Sequence, residues 1–463
     1  MEAQELKKLL QEQVGKLEKV YPYASAFAAK SGGKYAYYGT YEKHAGITPE
    51  KQGVTLTVFN GSFFKEFSTD QISKGQMEEL IARIVADQKN DPPLPANSIT
   101  IDPGTKVSRD YTVECKEPVN GVTLADLLSA GEKYERMVSA LDDRIVNAGI
   151  SYNVTELEEI FVNRHKSLSQ RITRVQTVYD LAFQDGQQSS QIWGGDCKNG
   201  GAEYLRIAEE DLKKAVEDGL KLLYAKRLTP GTYDCIFSPA MAGMFAHEAF
   251  GHGMETDMFL KKRAKGAEYM NRAVASPLVD MYDGPALEGA AGSFFFDHEG
   301  EMAATTQIIK KGMLLSGLTD LNSAVRLNLK RTPNGRREAY DHKVYARMTN
   351  TYFGTGSATI GEMIASMKNG YLIDYPTNGM EDPKGWGIQL EALMAREIVD
   401  GKLTGNCFSP VIVTGYVPEL LMSVSMVGSE AEIHGLGYCG KGHKEWVKVT
   451  DGGPALKLKA RLA

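Results

Sequence analysis

The stretch most able to do chemistry is His247-Glu248-Ala249-Phe250-Gly251-His252, two imidazoles and a carboxylate within six residues of a chain that has only eight histidines. Imidazoles are common ligands for a divalent metal, and a glutamate beside them can act as a base. In the familiar helical zinc motif the histidines are four apart and share one helix face. Here they are five apart. At about 100° per residue, the two rings would point roughly 140° apart on a regular helix. Either a π-type bulge must re-aim them, or the helix must stop at Gly251, and the glycines at 251 and 253 make the second arrangement easy. A third ligand has to come from elsewhere, and His298, His342, His434, Cys439 and His443 are the candidates. Spacing alone does not choose among them. Cys439, in Tyr438-Cys439-Gly440-Lys441-Gly442, reads as part of an exposed loop in which Lys441 favours the thiolate. Two histidines near a helix end with no metal are the plainer alternative, since short motifs often arise by chance.

These residues need a scaffold, and 463 residues exceed what one core usually serves, so two domains are expected. A hydrophobic content of 42% and a charged content of 24% are those of an ordinary folded protein. The net charge of −6 argues against a sequence-independent nucleic-acid binder. No apolar run is long enough to cross a bilayer, and Met1-Glu2-Ala3-Gln4-Glu5 does not read as a secretory signal. Five scattered cysteines without paired spacing fit a reducing compartment, so a cytoplasmic location is expected.

Apolar residues recur with helical spacing from Leu6 to Val20. Two strand-like runs flank Asn60-Gly61, the sequence of a type I′ hairpin turn. A helix is expected from about Lys74 to Asp87, then a Pro-rich linker at Asp91-Pro92-Pro93-Leu94-Pro95. The Thr123 hydroxyl caps a second helix and Asp126 favours its dipole; the apolar stripe runs to Ile145. From Ser151 to Gln184 the period is two, as in strands, with a turn at Asp185-Gly186. A helix from about Leu205 to Leu223 ends at Thr229-Pro230-Gly231. That boundary separates an α+β N-terminal domain (1–228) from a β-rich, barrel-like C-terminal domain (229–463) carrying the motif. Lys311-Gly312 and Asp400-Gly401 have the composition of hairpin turns, and Thr359 and Glu362 that of a capping box.

The C-terminal half resembles the TldD/PmbA metalloproteases, a family also known as modulators of DNA gyrase. The resemblance runs in order through Thr229-Pro230-Gly231, the motif itself extended to Gly253-Met254-Glu255, Asp297-His298-Glu299-Gly300, Asn334-Gly335-Arg336-Arg337-Glu338, Arg347-Met348-Thr349-Asn350-Thr351-Tyr352, Ser425-Met426-Val427-Gly428 and Cys439-Gly440-Lys441-Gly442. It implies one zinc ion per chain held by His247, His252 and Cys439, with Glu248 as the catalytic base. The intact motif resembles the catalytic, TldD-type branch. The resemblance also implies unfolded or extended peptide substrates and a dimer, either of one chain or with an inactive paralogue. Two imidazoles and a thiolate would leave a fourth tetrahedral position open, as a catalytic zinc site requires. A β-rich catalytic domain suggests that substrate adds as an extra strand. The competing expectation is a binding or regulatory protein with a structural metal, closed by a fourth ligand such as His443, in which Glu248 is dispensable. His434, Arg336 and Tyr438 are candidates to stabilise an oxyanion.

Overall fold

A computed structural model describes residues 2–91, 99–442 and 444–463. Residues 92–98, most of the expected Pro-rich linker, and His443 lie outside the described residues.

The first half is built on a seven-stranded sheet. Its strands are β1 (Tyr23–Tyr38), β2 (Lys43–Phe59), β3 (Phe64–Thr69), β4 (Val107–Thr112), β5 (Ile145–Asn163), β6 (Lys166–Asp185) and β7 (Gln188–Asn199). They run in the order β3-β2-β1-β5-β6-β4, and β7 takes the part of the β6 edge that β4 leaves free. Residue alternation sorts the two faces of β1. Ala24, Ala26 and Ala28 join the helices α1 (Ala3–Leu17) and α2 (Lys74–Asp87) in one core with Leu10, Val14, Val54, Leu56, Ile81 and Ile84. Phe27 points the other way and stacks on His298 of the second half, ring centroids 4.6 Å apart. The helices α3 (Leu124–Ser139) and α4 (Glu209–Leu222) cover the rest, with Leu127, Val138, Leu212 and Val216 against Ile150, Leu181 and Phe183.

Thr123 caps α3 as expected, and Asp126 does more than favour the dipole, accepting in return from the Thr123 N–H. The helix stops at Ser139, however, and Ile145 opens β5 instead of extending the helical stripe. The hairpin at Asn60-Gly61 is present but is not a two-residue turn. Phe59 pairs with Phe64, so four residues cross over, and Asn60 Oδ1 accepts from the backbone N–H groups of Ser62 and Phe63. That side-chain turn replaces the backbone turn expected from the Asn-Gly pair. At Lys311-Gly312 and Asp400-Gly401 both residues do have positive φ, and both pairs close hairpins.

The second half is an eleven-stranded sheet beginning at β8 (Gly231–Phe237). Five of its strands close into a barrel: β8, Asn369–Asp382, Gly387–Val399, Val411–Tyr416 and Thr450–Leu462. Closure comes from β8, which pairs parallel with residues 371–373 and antiparallel with 456–462. The architecture is α+β, with a β-rich, barrel-containing second half. Among the described residues no helix is long and apolar enough to cross a membrane.

Candidate metal centre

The motif follows directly from β8. Ser238 caps α5 (Pro239–Ala246) by accepting from the Met241 N–H, and Pro239 sits in its first turn, where a missing N–H costs nothing. Met241, Ala242, Phe245 and Ala246 are fully buried, so this face of the helix is held by packing while Ala240 and Met244 on the other line the cleft described below. Gly243 lets α5 lie directly on the C-terminal strand. A Cβ there would stand 2.8 Å from the Gly452 nitrogen.

The five-residue step is resolved by a π-helical turn over His247–Gly251, running into a 3-10 turn at His252–Met254. The helix does not stop at Gly251, whose φ of −62° and ψ of −59° are right-handed helical. Gly251 is needed for space: a Cβ would fall 1.8 Å from Met348 Sδ. The extra residue in the π turn brings the two histidines onto one side, ring centroids 5.1 Å apart and planes at 84°.

Cys439 completes the group. Its Sγ lies 3.2 Å from His247 Nε2 and 3.3 Å from His252 Nε2. The thiol is 3% exposed, so the expectation of an exposed loop is corrected. Lys441 does not face the sulfur; its Nζ lies 3.1 Å from Glu255 and 2.6 Å from Asp257. The cation on the sulfur is Arg347, whose Nη2 donates to Sγ at 3.0 Å and to the Cys439 carbonyl at 2.8 Å. The same guanidinium donates from Nε to Glu255 at 3.1 Å and from Nη1 to the Glu445 carbonyl.

The far side of each imidazole is also held. His247 Nδ1 meets Asp451 Oδ1 at 2.8 Å, and His252 Nδ1 meets Glu255 Oε2 at 3.4 Å. A carboxylate only accepts, so each contact places the proton on Nδ1 and turns a lone pair on Nε2 toward the centre. Asp451, Glu255 and Arg347 were not found from spacing. The one available sign was that Glu255 and Arg347 fall in segments of the ordered resemblance.

Burial alone would raise the Cys439 thiol; His252, His247 and Arg347 reverse this and hold it well below its usual range. Burial would lower His252, but Cys439 and Glu255 push it up to about 10. His247 is likewise raised against burial, by Asp451 and Cys439. The three donors therefore share protons tightly, and a cation entering among them would displace those protons. Two neutral nitrogens and a thiolate, all within 4.8 Å of one another, suit a zinc-like ion. Among the described residues no fourth histidine, cysteine or carboxylate joins the set.

Glu248 stands beside these donors, half-buried, and burial raises its carboxyl above the usual value against the opposing pull of the two histidines. Gly379 makes room for it, because a Cβ there would be 2.5 Å from Glu248 Cγ. Both residues line a cleft of about 910 Å³ between the two halves. Trp193, Tyr204 and Lys214 come from the first half; Asp374–Gly379, His434, Tyr438 and Asp451 come from the second.

The other sequence candidates are not at the centre. His298 stacks on Phe27 and faces Glu159 at 3.4 Å. His342 lies with Glu338 and Glu445, and His434 faces Glu432 across the cleft wall. Arg336 is buried and donates to the Met348 and Lys448 carbonyls, which makes it a brace. His434 and Tyr438 do line the cleft.

Residues 230–460 match the family model described as the PmbA/TldA metallopeptidase C-terminal domain. A metalloprotease of Methanothermobacter thermautotrophicus is 28% identical over 406 residues, covering 86% of each chain. A zinc metalloprotease TldD homolog of Saccharolobus solfataricus is 26% identical, over 88% of this chain and 89% of its own. Among solved structures, TldE from Thermococcus kodakarensis superposes with a TM-score of 0.79 at 16% identity, over 98% of this chain and all of its own. The family model and the curated relatives make this chain a metalloprotease. The chain belongs to the PmbA/TldD family.

Proposed function

We propose that this metalloprotease hydrolyses unfolded or extended peptides with one zinc ion held by His247, His252 and Cys439 and with Glu248 as general base. The observation that carries this reading is the convergence of those three donor atoms beside Glu248 on the wall of one cleft. When bound, the ion would supply Lewis-acid polarisation of the scissile carbonyl and acidify the attacking water toward a pKa of ~7. The Glu248 carboxylate takes the proton of that water and passes it to the leaving amine nitrogen. Asp451 and Glu255 keep the two imidazoles in the ligating tautomer, and Arg347 keeps Cys439 as thiolate.

Substrate shape follows from the strand Asn369–Asp382. Its outer edge pairs with β8 only at 371–373, and the following residues 374–379 line the cleft. An extended peptide can pair there through its main chain, which asks for no particular side chains and excludes folded substrates. The cleft, and a ligand set left open among the described residues, favour catalysis over a closed structural metal. We place the chain in the cytoplasm, as a dimer with a second copy or with an inactive paralogue, which size exclusion with light scattering on the purified chain tests.

Glu248→Gln is expected to reduce casein hydrolysis by about 10²–10⁴-fold with zinc content unchanged. Turnover that survives the change would remove Glu248 from the base role. A second expectation concerns pH. A base with a raised pKa is ionised only above that raised value, so the acid limb of kcat/KM should lie above the ~4.3 of an ordinary glutamate. A limb at or below that value contradicts the assignment.

A further inference from the structure

A second group of donors lies outside the centre just described. His342 Nδ1 is 3.2 Å from Glu445 Oε2 and 3.6 Å from Glu338 Oε2, and the three ligating atoms are all within 4.8 Å of one another. We propose that Glu338, His342 and Glu445 form a second binding site for a first-row divalent cation such as zinc.

The first argument is charge. Glu445 is 9% exposed, and its carboxylate has no lysine or arginine partner among the described residues; neither has that of Glu338. Two carboxylates gathered around one imidazole repel each other, and burying one of them without a cation is costly. The second argument is preorganisation. The Trp446 N–H donates to Glu338 Oε2 at 3.0 Å, Arg337 donates to the His342 carbonyl at 2.8 Å, and Arg347 donates to the Glu445 carbonyl. The Glu338 side chain and the backbones of His342 and Glu445 are thus held by contacts that leave ligating capacity on all three side chains. The third is the donor set itself. One nitrogen and two oxygens suit zinc, manganese or cobalt, and the exposed side at Glu338 leaves positions for water.

The site also reaches the catalytic centre. Glu445 adopts a left-handed φ of 59°, and its carbonyl shares the Arg347 guanidinium with the carbonyl and sulfur of Cys439. A cation on Glu445 therefore braces the segment that delivers Cys439.

The test is cobalt and zinc titration of the full chain, with bound metal counted by equilibrium dialysis and elemental analysis. Two equivalents per chain are expected for the wild type, the inner one marked by a sulfur-to-cobalt charge-transfer band and the outer one without it. Glu338→Gln, at an exposed position, and His342→Ala should each bind one equivalent and keep the band. Cys439→Ala should lose the band and keep one equivalent, which separates this site from the catalytic one. Saturation of the wild type at a single equivalent overturns the proposal; it means that His342 alone bridges the two carboxylates. Survival of the second equivalent in both outer-site variants also overturns it.

Discussion

Around β1, β2 and β5 the molecule buries hydrocarbon, with Leu10, Val54, Leu56, Val58 and Ile84 fully enclosed by one another. Around the metal centre it buries polar groups: Glu255, Asp283, Asn334, Arg347, Thr349, Asn350 and Thr351 are each at most 1% exposed. Asp283 alone accepts from Asn334, the Thr349 backbone and hydroxyl, and Thr351. Apolar packing is non-directional and tolerates exchange at constant volume. A hydrogen-bonded polar network fixes positions, because any shift breaks the bonds of buried groups. The first half thus supplies one wall of the cleft. The second half brings the candidate ligands His247, His252 and Cys439 together beside Glu248.

Breaking the polar side should cost most. Arg347→Ala leaves Glu255 buried without its arginine and is expected to destabilise the fold by about 3–5 kcal/mol. It should also lower metal affinity, which denaturant unfolding and metal analysis read separately. An unchanged midpoint would mean that the network is decoration. Leu56→Ala, in the apolar core, should cost about 2–5 kcal/mol while every folded molecule keeps its metal and its turnover. Loss of metal at constant folded fraction would show that the two halves are not separable. The finest probe is Asp451→Asn, expected to weaken metal binding about 10–100-fold with little change in thermal stability. A competition titration against a chelator decides it, and equal affinities would deny Asp451 its orienting role.

Regular repetition made much of the fold legible. The period-two run through β5 and β6, the caps at Thr123 and Thr359 and the turns at Lys311-Gly312 and Asp400-Gly401 express local preferences that the packed structure keeps. Asn60 escaped because its side chain supplies a turn that the Asn-Gly pair usually makes with backbone alone. At the centre, His247, Glu248 and His252 were visible because they are adjacent, and the five-residue step required a distortion that the π turn provides. Gly251 was misread because a glycine can be selected for space as readily as for φ, and Met348, almost a hundred residues away, is what occupies that space. Asp451 and Arg347 were invisible to spacing for the same reason. Their roles depend on contacts 204 and 92 residues apart in the chain.

The strand Thr450–Leu462 closes the barrel onto β8, lies under α5 and carries Asp451. A ribosome has therefore made nearly all of the 463 residues before Cys439 and Asp451 can reach His247. Throughout synthesis the nascent chain holds two histidines and a glutamate with nothing to complete them. The donor set of this metalloprotease is thereby complete only once the last strand is in place.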